Sequence, residues 1–242
     1  MKRRQFLKGA GVAAGLGLLA KTGPAWPMAL ATGSRSRVRR YKFIGVGGAG
    51  CNVLVGLAAS AVPECTDLTA EYICVDLGNE TLPRVDACTG VLLDYSPIQF
   101  LSLAEFGAGG SVNAARAAAL RKRDELERLV AGADLVFLLA GLGGGTGSGV
   151  TPIMASLARD LGALTVATVI TPFAFEGQRQ RTASTALSYL RRDADLVVEF
   201  SNETLAAMQD DSMTMDWLLT MIDLEIQGGI REIWTRVCRI EG

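Results

Sequence analysis

The chain has 242 residues, of which 49% are hydrophobic and 20% charged, and its formal net charge is −1. This composition indicates a globular protein with room for one domain and a buried core. The near-zero charge gives no long-range attraction to nucleic acid or to acidic membranes, and nucleic acid is not a predicted partner. The chain has no histidine, which excludes imidazole catalysis, and its cysteines form no C-x-x-C pair that would indicate a zinc site.

The first 31 residues are interpreted as a signal segment. The run from Lys2 to Lys8 (KRRQFLK) resembles a twin-arginine export signal, and an apolar stretch follows that is too short to span a bilayer. The sequence Ala29-Leu30-Ala31 fits a cleavage site, and residues 32–38 form a linker. The alternatives are a basic, amphipathic tether or an incorrectly assigned start codon. A working signal predicts a periplasmic or membrane-tethered protein, with membrane contact only through this segment; otherwise the protein is cytoplasmic.

Strands and helices alternate along the rest of the chain. Apolar runs predict buried strands at 40–46, 71–76, 135–140, 165–170 and 196–200, with a possible short strand at 90–93. Helical patterns follow to about residue 61, over 112–130, over 150–161 and over 216–236. This order predicts an α/β doubly wound, mostly parallel sheet with helices on both faces. We assign residues 39–215 to one nucleotide-binding domain and residues 216–242 to a long central helix.

A glycine-rich run from Gly141 to Gly149 (GLGGGTGSG) stands between a predicted buried strand and a helix. Glycine lets backbone N–H groups approach phosphate oxygens closely, and a helix N-terminus adds partial positive charge. Thr146 and Ser148 supply hydroxyls that can donate to phosphate or contact a metal-bound water. The run therefore predicts a phosphate-binding loop, and the alternative is a loop that is merely flexible.

A second glycine run creates a rival interpretation. Gly45 to Gly50 (GVGGAG) is a full G-x-G-x-x-G between a strand and a helix, and Asp76 ends the next strand. That arrangement is typical of dinucleotide-binding oxidoreductases, in which the acid binds a ribose. Such folds, however, have no need of the second phosphate-binding loop at Gly141.

The run Gly143 to Gly149 (GGGTGSG) resembles the signature of the FtsZ/tubulin GTPase family, and the resemblance extends over roughly residues 39–236. It implies that the 47–52 and 107–110 segments are nucleotide loops, the second followed by Arg116. It also implies that Glu176 holds the ribose, that Asn202 lies against the base and that Asp216 accepts from guanine. No catalytic residue and no metal ligand is predicted. The predicted nucleotide-binding residues are Gly47, Gly48, Ala49, Gly50, Asn52, Asp76, Ala108, Gly109, Gly110, Gly141, Gly143, Gly144, Gly145, Thr146, Gly147, Glu176, Arg179, Arg181, Asn202 and Asp216.

The sequence departs from the family pattern at several points. Gln180 stands where the family has an arginine, although Arg179 and Arg181 flank it. The segment between Asn202 and Asp216 is shorter, and the stacking phenylalanine has no counterpart, which leaves Met208 or Met213 to cover the base. After the central helix, the family continues with an acidic Asn-x-Asp-Phe-Ala-Asp loop and a second domain. The 242 residues of this sequence contain neither of them.

The resemblance implies binding of GTP or GDP with Mg²⁺. The missing acidic loop leads us to expect GTP hydrolysis that is weak or dependent on a partner. The alternative role is a non-catalytic partner or cap of FtsZ filaments. The expected partners are a full-length FtsZ or a second copy, joined through the central helix, whose apolar Trp217, Met221 and Leu224 should face away from the sheet.

Overall fold

A six-stranded sheet forms the centre of the molecule, and all its strands are parallel. The computed structural model describes residues 39–59, 68–78, 99–104, 107–206 and 214–241. The spatial order of the strands is β3-β2-β1-β4-β5-β6. The strands are β1 (Arg39–Val46), β2 (Leu68–Asp76), β3 (Gln99–Ser102), β4 (Leu135–Gly141), β5 (Leu164–Thr171) and β6 (Leu196–Ser201). The predicted doubly wound parallel fold is confirmed.

Helices cover both faces of this sheet. They are α1 (Gly47–Ala59), α2 (Val112–Arg121), α3 (Arg123–Val130), α4 (Gly145–Asp160), α5 (Gly177–Asp193), α6 (Asn202–Ala206) and α7 (Met215–Glu241). Helices α2 to α5 pack on one face, and α1 and α7 pack on the other. Two separate hydrophobic clusters result, one on each side of the sheet. Because both faces are buried, β4 has no polar side chain, as is typical of strands in parallel sheets. Its neighbours β1 and β5 are less uniform, since β1 buries Lys42 and β5 buries Thr165, Thr168 and Thr171.

Aromatic rings fill the cluster on the α1/α7 face. The ring of Phe43 stacks on those of Tyr72 and Phe137, at centroid distances of 5.4 and 4.7 Å. Trp234 of α7 meets Tyr41, near the start of β1, edge to face at 5.0 Å. The C-terminal half of α7 therefore lies near the amino ends of the strands. Earlier in α7, a Cβ atom added at Gly229 would lie 3.0 Å from the ring of Phe200, near the carboxyl end of β6, so α7 begins toward the carboxyl ends of the strands.

Apolar residues recur at helical spacing along one side of α7: Leu218, Ile222, Ile226, Ile230, Ile233 and Val237. Ile222, Ile226, Ile230 and Ile233 are buried against the sheet, whereas the side chains of Leu218 and Val237 lie outside the described residues. On the outer side, Trp217 is 42% exposed and Leu224 is 50% exposed, while Met221 is half-buried. In the described part of the chain, no helix is long and apolar enough to cross a membrane.

Several sequence-based boundaries were wrong. The predicted 112–130 helix is two helices, because the backbone at Lys122 leaves the helical region with φ −101° and ψ 24°. The short strand β3 was missed, and the strand expected at 90–93 lies outside the described residues. Both glycine runs were interpreted as loops that precede helices. In fact α1 begins at Gly47 and α4 begins at Gly145, so much of each glycine run is helical.

Candidate nucleotide site

The two glycine runs meet where the strand order reverses. Strand β1 leads directly into α1, and its neighbour β4 leads through a short turn into α4. A Cβ atom added at Gly47 would lie 3.2 Å from the backbone nitrogen of Gly147, and one added at Gly141 would lie 2.7 Å from the Cβ of Ala49. The crevice at such a reversal is where doubly wound proteins bind their ligands. Two helix N-termini with partial positive charge therefore converge on one edge of the sheet.

The turn between β4 and α4 is held by an internal hydrogen bond. Gly143 has a φ of +100°, a conformation that only glycine adopts readily. Its N–H donates to the Oγ of Ser148 at 2.8 Å, and Ser148 is buried. The sequence suggested that this hydroxyl contacts phosphate or a metal-bound water. In the structure its oxygen instead positions the turn, while Thr146 remains partly exposed at the start of α4.

A third segment, residues 107–111, closes over the same turn. Gly109 and Gly110 both have positive φ, at +55° and +79°. The N–H of Ser111 donates to the carbonyl of Ala108, and the Ser111 hydroxyl caps α2 by accepting from the N–H of Ala114. A Cβ atom added at Gly145 would lie 2.7 Å from the Cβ of Ala108. The two loops are therefore in direct contact.

Three glycines in this region face open space. Within the described residues, a Cβ atom added at Gly109, Gly110 or Gly144 would meet no atom within 4 Å. Their backbone can therefore be approached by an external group, and Gly48 and Ala49 at the start of α1 are also exposed. Open glycine backbone beside two helix N-termini is the environment that phosphate groups require. The residues present fit a nucleotide's phosphates.

The loop after β5 carries the predicted ribose acid. Glu176 Oε1 accepts from the N–H of Phe173 at 3.0 Å, and Glu176 Oε2 pairs with Arg179. Gln180 bonds to the protein itself, because its Nε2 donates to the carbonyl of Pro172. This loop lies beside the α4 turn, since a Cβ atom added at Gly143 would meet Arg179 and Pro172 at about 3 Å. Glu176 and Arg179 are thus close to the glycine turn, and Arg181 is exposed further along α5.

The remaining predicted residues lie around this edge. Asp76 ends β2, is buried, and its Oδ1 accepts from the N–H of Leu77 at 2.8 Å. Asn52 is half-buried on α1. Asn202 begins α6, and its Oδ1 is buried without a hydrogen-bond partner among the described residues. Asp216 is the second residue of α7, and its side chain lies outside the described residues, as do Met208 and Met213.

Two titratable clusters were not predicted from the sequence. A hydrogen bond with Cys74, together with burial, raises the pKa of the Cys51 thiol, which belongs to α1 and donates to the carbonyl of Gly45 at 3.4 Å. The residue is also only 1% exposed, so the thiol is shielded from solvent. At the far end of α4 and α5, hydrogen bonds from Arg192 and the charge of Arg159 lower the pKa of Asp193. Among the described residues, no three His, Cys, Asp or Glu side chains are grouped as a metal site would require.

Comparison with known proteins identifies the family. The model of the Tubulin/FtsZ family GTPase domain matches residues 40–210. The chain belongs to the tubulin/FtsZ family. It is 34% identical to the cell division protein FtsZ of Neisseria meningitidis over 174 residues, which are 72% of this chain and 42% of that protein. The corresponding protein of Pseudomonas aeruginosa is 33% identical over 193 residues, 79% of this chain and 46% of that protein.

The fold comparison agrees with this assignment to the tubulin/FtsZ family. The empty FtsZ dimer structure from M. jannaschii matches with a TM-score of 0.67 and 26% identity, over 81% of this chain and 54% of that one. The chain thus spans less than half the length of the curated FtsZ proteins described above. The strand order alone would not have decided against the oxidoreductase interpretation, since dinucleotide-binding folds have the same order. The match to the family model supports the interpretation as a tubulin/FtsZ-type GTPase domain.

Proposed function

We propose that this chain binds GTP and GDP at the edge where α1 and α4 begin. The observation that carries the proposal is the open backbone at Gly109, Gly110 and Gly144, which lies against the glycine turn of a tubulin/FtsZ-family domain. The two helix N-termini favour the negative charge of phosphates, and the exposed N–H groups there can donate to them. The curated relatives are named as cell division proteins, and we propose the same setting for this chain.

The other groups at this edge suit the rest of a nucleotide. Asn202 Oδ1, which has no hydrogen-bond partner among the residues that the structure describes, can accept a hydrogen bond from a base. The Glu176 carboxylate can accept from ribose hydroxyls. Since Arg179 now pairs with Glu176, its guanidinium must share or release that carboxylate when a ribose binds. A bound Mg²⁺ would neutralise phosphate charge, as it does in other phosphoryl-transfer proteins, and we assign no protein ligand to it.

We further propose that a polypeptide of these residues hydrolyses GTP weakly unless another subunit assists. Phosphoryl transfer depends on a residue that positions the attacking water. The family supplies it from an Asn-x-Asp-Phe-Ala-Asp segment, and the 242 residues contain no such segment. The partner would be a full-length FtsZ or a second copy, in keeping with the dimer seen for the M. jannaschii protein.

Thermal shift with several nucleotides tests the binding proposal. GTP and GDP should raise the melting temperature of the 242-residue chain, whereas NAD and ATP should not. At a ligand concentration of 100 times Kd, binding stabilises the folded state by about 2.7 kcal/mol, a readily measured shift. A shift with NAD and none with GTP would restore the oxidoreductase interpretation and reject this one.

Phosphate release tests the hydrolysis proposal. The purified chain alone should release little phosphate from GTP at any protein concentration, and adding a full-length FtsZ should either restore turnover or stop filament growth. Turnover by the chain alone that rises steeply with its concentration would reject the proposal, since it would show that two copies complete the site.

We also propose export by the twin-arginine route. Only the sequence supports it, because residues 1–38 lie outside the described residues. Replacing Arg3 and Arg4 with lysine keeps the charge but removes the arginine pair that the transport machinery recognises. The variant should stay in the cytoplasm unprocessed while the wild type is exported. A wild type found in the cytoplasm with an intact N-terminus would show that the signal does not act.

A further inference from the structure

Three successive backbone positions in the loop after β5, residues 172–174, make hydrogen bonds to side chains. Gln180 Nε2 donates to the carbonyl of Pro172, and the N–H of Phe173 donates to Glu176 Oε1. The third tie differs, because the N–H of Ala174 donates at 3.0 Å to Oε2 of Glu203, which belongs to α6 and is 29 residues away in sequence. The first two ties are local to the loop. The third fastens it to another element.

Glu203 therefore joins the two segments that carry the sugar and base residues. It immediately follows Asn202, and the residue that it holds lies two positions before Glu176. Strands β5 and β6 pair with each other, with Thr171 opposite Ser201, so the positions at which both segments leave the sheet are fixed. Above the sheet, the Ala174–Glu203 hydrogen bond is a direct link between them. A carboxylate that accepts from a backbone N–H makes a charge-assisted bond, stronger than a neutral one.

We propose that Glu203 is a positioning residue, which sets the 172–176 loop so that the Glu176 carboxylate meets the sugar of a bound nucleotide. The inference rests on the proposed nucleotide function and adds the residue that orients the sugar contact. Glu203 itself touches no ligand in this scheme. Its effect should therefore appear only with nucleotides whose sugar carries hydroxyls.

The test compares GTP with 2′,3′-dideoxy-GTP on the full 242-residue chain. In Glu203→Ala, the affinity for GTP should fall about fivefold, while the affinity for the dideoxy analogue should be unchanged. In Glu203→Gln, an amide oxygen still accepts from Ala174, so the preference for GTP should stay within about twofold of wild type. Glu199→Ala is the matched control, because it removes a nearby, partly exposed acid that pairs with Arg191 instead.

Hydrogen exchange supplies a readout that needs no nucleotide. The Ala174 amide should exchange faster in Glu203→Ala than in wild type and should be nearly unaffected in Glu203→Gln. An unchanged exchange rate, an unchanged GTP preference, or an equal loss of affinity for both nucleotides in Glu203→Ala would each overturn the inference. A wild type that binds neither nucleotide would overturn the proposed function as well, which separates the two failures.

Discussion

The glycines at the edge of the sheet where α1 and α4 begin are of two kinds. At Gly50 and Gly147, an added Cβ atom would lie 2.1 Å from a carbonyl oxygen of β4, so the missing side chain allows helix and strand to touch. At Gly109, Gly110 and Gly144, an added Cβ atom would meet nothing within 4 Å among the described residues. The first kind serves packing, and the second kind leaves backbone open to a ligand. Under the proposed function, the glycine-rich motif therefore combines a folding requirement with a binding requirement.

Gly147→Val should have the largest effect and should act on folding. Its side chain would overlap the carbonyl of Gly141, which is backbone and cannot move aside cheaply. We expect a loss of about 3 kcal/mol in the free energy of unfolding, or failure to fold. Urea denaturation measures it. A variant as stable as wild type would show that Gly147 does not belong to the packing kind.

Asp193→Asn should lower stability without affecting nucleotide binding, because Asp193 lies at the end of α5, away from the glycines where α1 and α4 begin. The buried carboxylate accepts from Arg192 at 2.8 and 2.9 Å and pairs with Arg159. Losing its charge should lower the free energy of unfolding by about 2 kcal/mol at pH 7. Nucleotide affinity should not change.

The pH dependence of that loss follows from the depressed pKa. Because the folded-state pKa of Asp193 is lowered, its stabilisation is complete above the ordinary Asp pKa of about 3.9 and disappears as the pH falls through the folded value. The gap between wild type and Asp193→Asn should therefore be constant near neutral pH and should close in acid. A gap that widens in acid would contradict the assignment.

Gly144→Val should act on binding alone. Gly144 has a φ of −89° and a ψ of 174°, extended backbone that valine adopts without strain, and its Cβ would point into open space. We expect the fold to be kept and the affinity for GTP to drop at least tenfold, about 1.4 kcal/mol. Gly228→Val on α7, also in open space, is the control that should bind normally. Unchanged affinity in Gly144→Val would reject the phosphate site.

Ser148→Ala should have the smallest effect and should weaken both stability and binding. It removes the acceptor for the buried N–H of Gly143 without adding any atom. We expect a loss of about 1 kcal/mol in stability and a severalfold weaker affinity for GTP, because the turn is less firmly held. Calorimetric titration and denaturation measure both. A loss of affinity larger than that of Gly144→Val would indicate that the Ser148 hydroxyl contacts phosphate directly.

The sheet and the place of the site could be predicted from the sequence because each rests on local patterns. Apolar runs gave the main strands, and a strand followed by glycines and a helix located the edge where Gly47 and Gly147 meet. The two kinds of glycine could not be distinguished, since their difference depends on which backbone lies opposite in space. The break at Lys122 was hidden for a similar reason, because 112–130 has continuous helical composition.

Contacts between distant side chains were also beyond the sequence. The Glu203 tie to Ala174 and the Asp193 cluster each join residues whose spacing has no regular period. The family resemblance led to Glu176 and Asn202, but nothing in the linear order indicated that their segments are joined by a hydrogen bond. The binding roles of all the predicted site residues remain predictions, including those of Asp76, Arg181 and Asp216.

The central position of β1 has a consequence for how the protein folds. This strand emerges from the ribosome before β4, yet it pairs on one side with β4, where Tyr41 lies opposite Leu135. Until about ninety further residues have been made, which takes several seconds at ribosomal rates, one backbone edge of β1 lacks its native partner. The strand's apolar side chains, among them Phe43 and Ile44, also remain uncovered on that side. Such long-range pairing raises contact order and slows folding. We therefore expect newly made chains to need shielding by chaperones, and overexpression to yield aggregates seeded at β1.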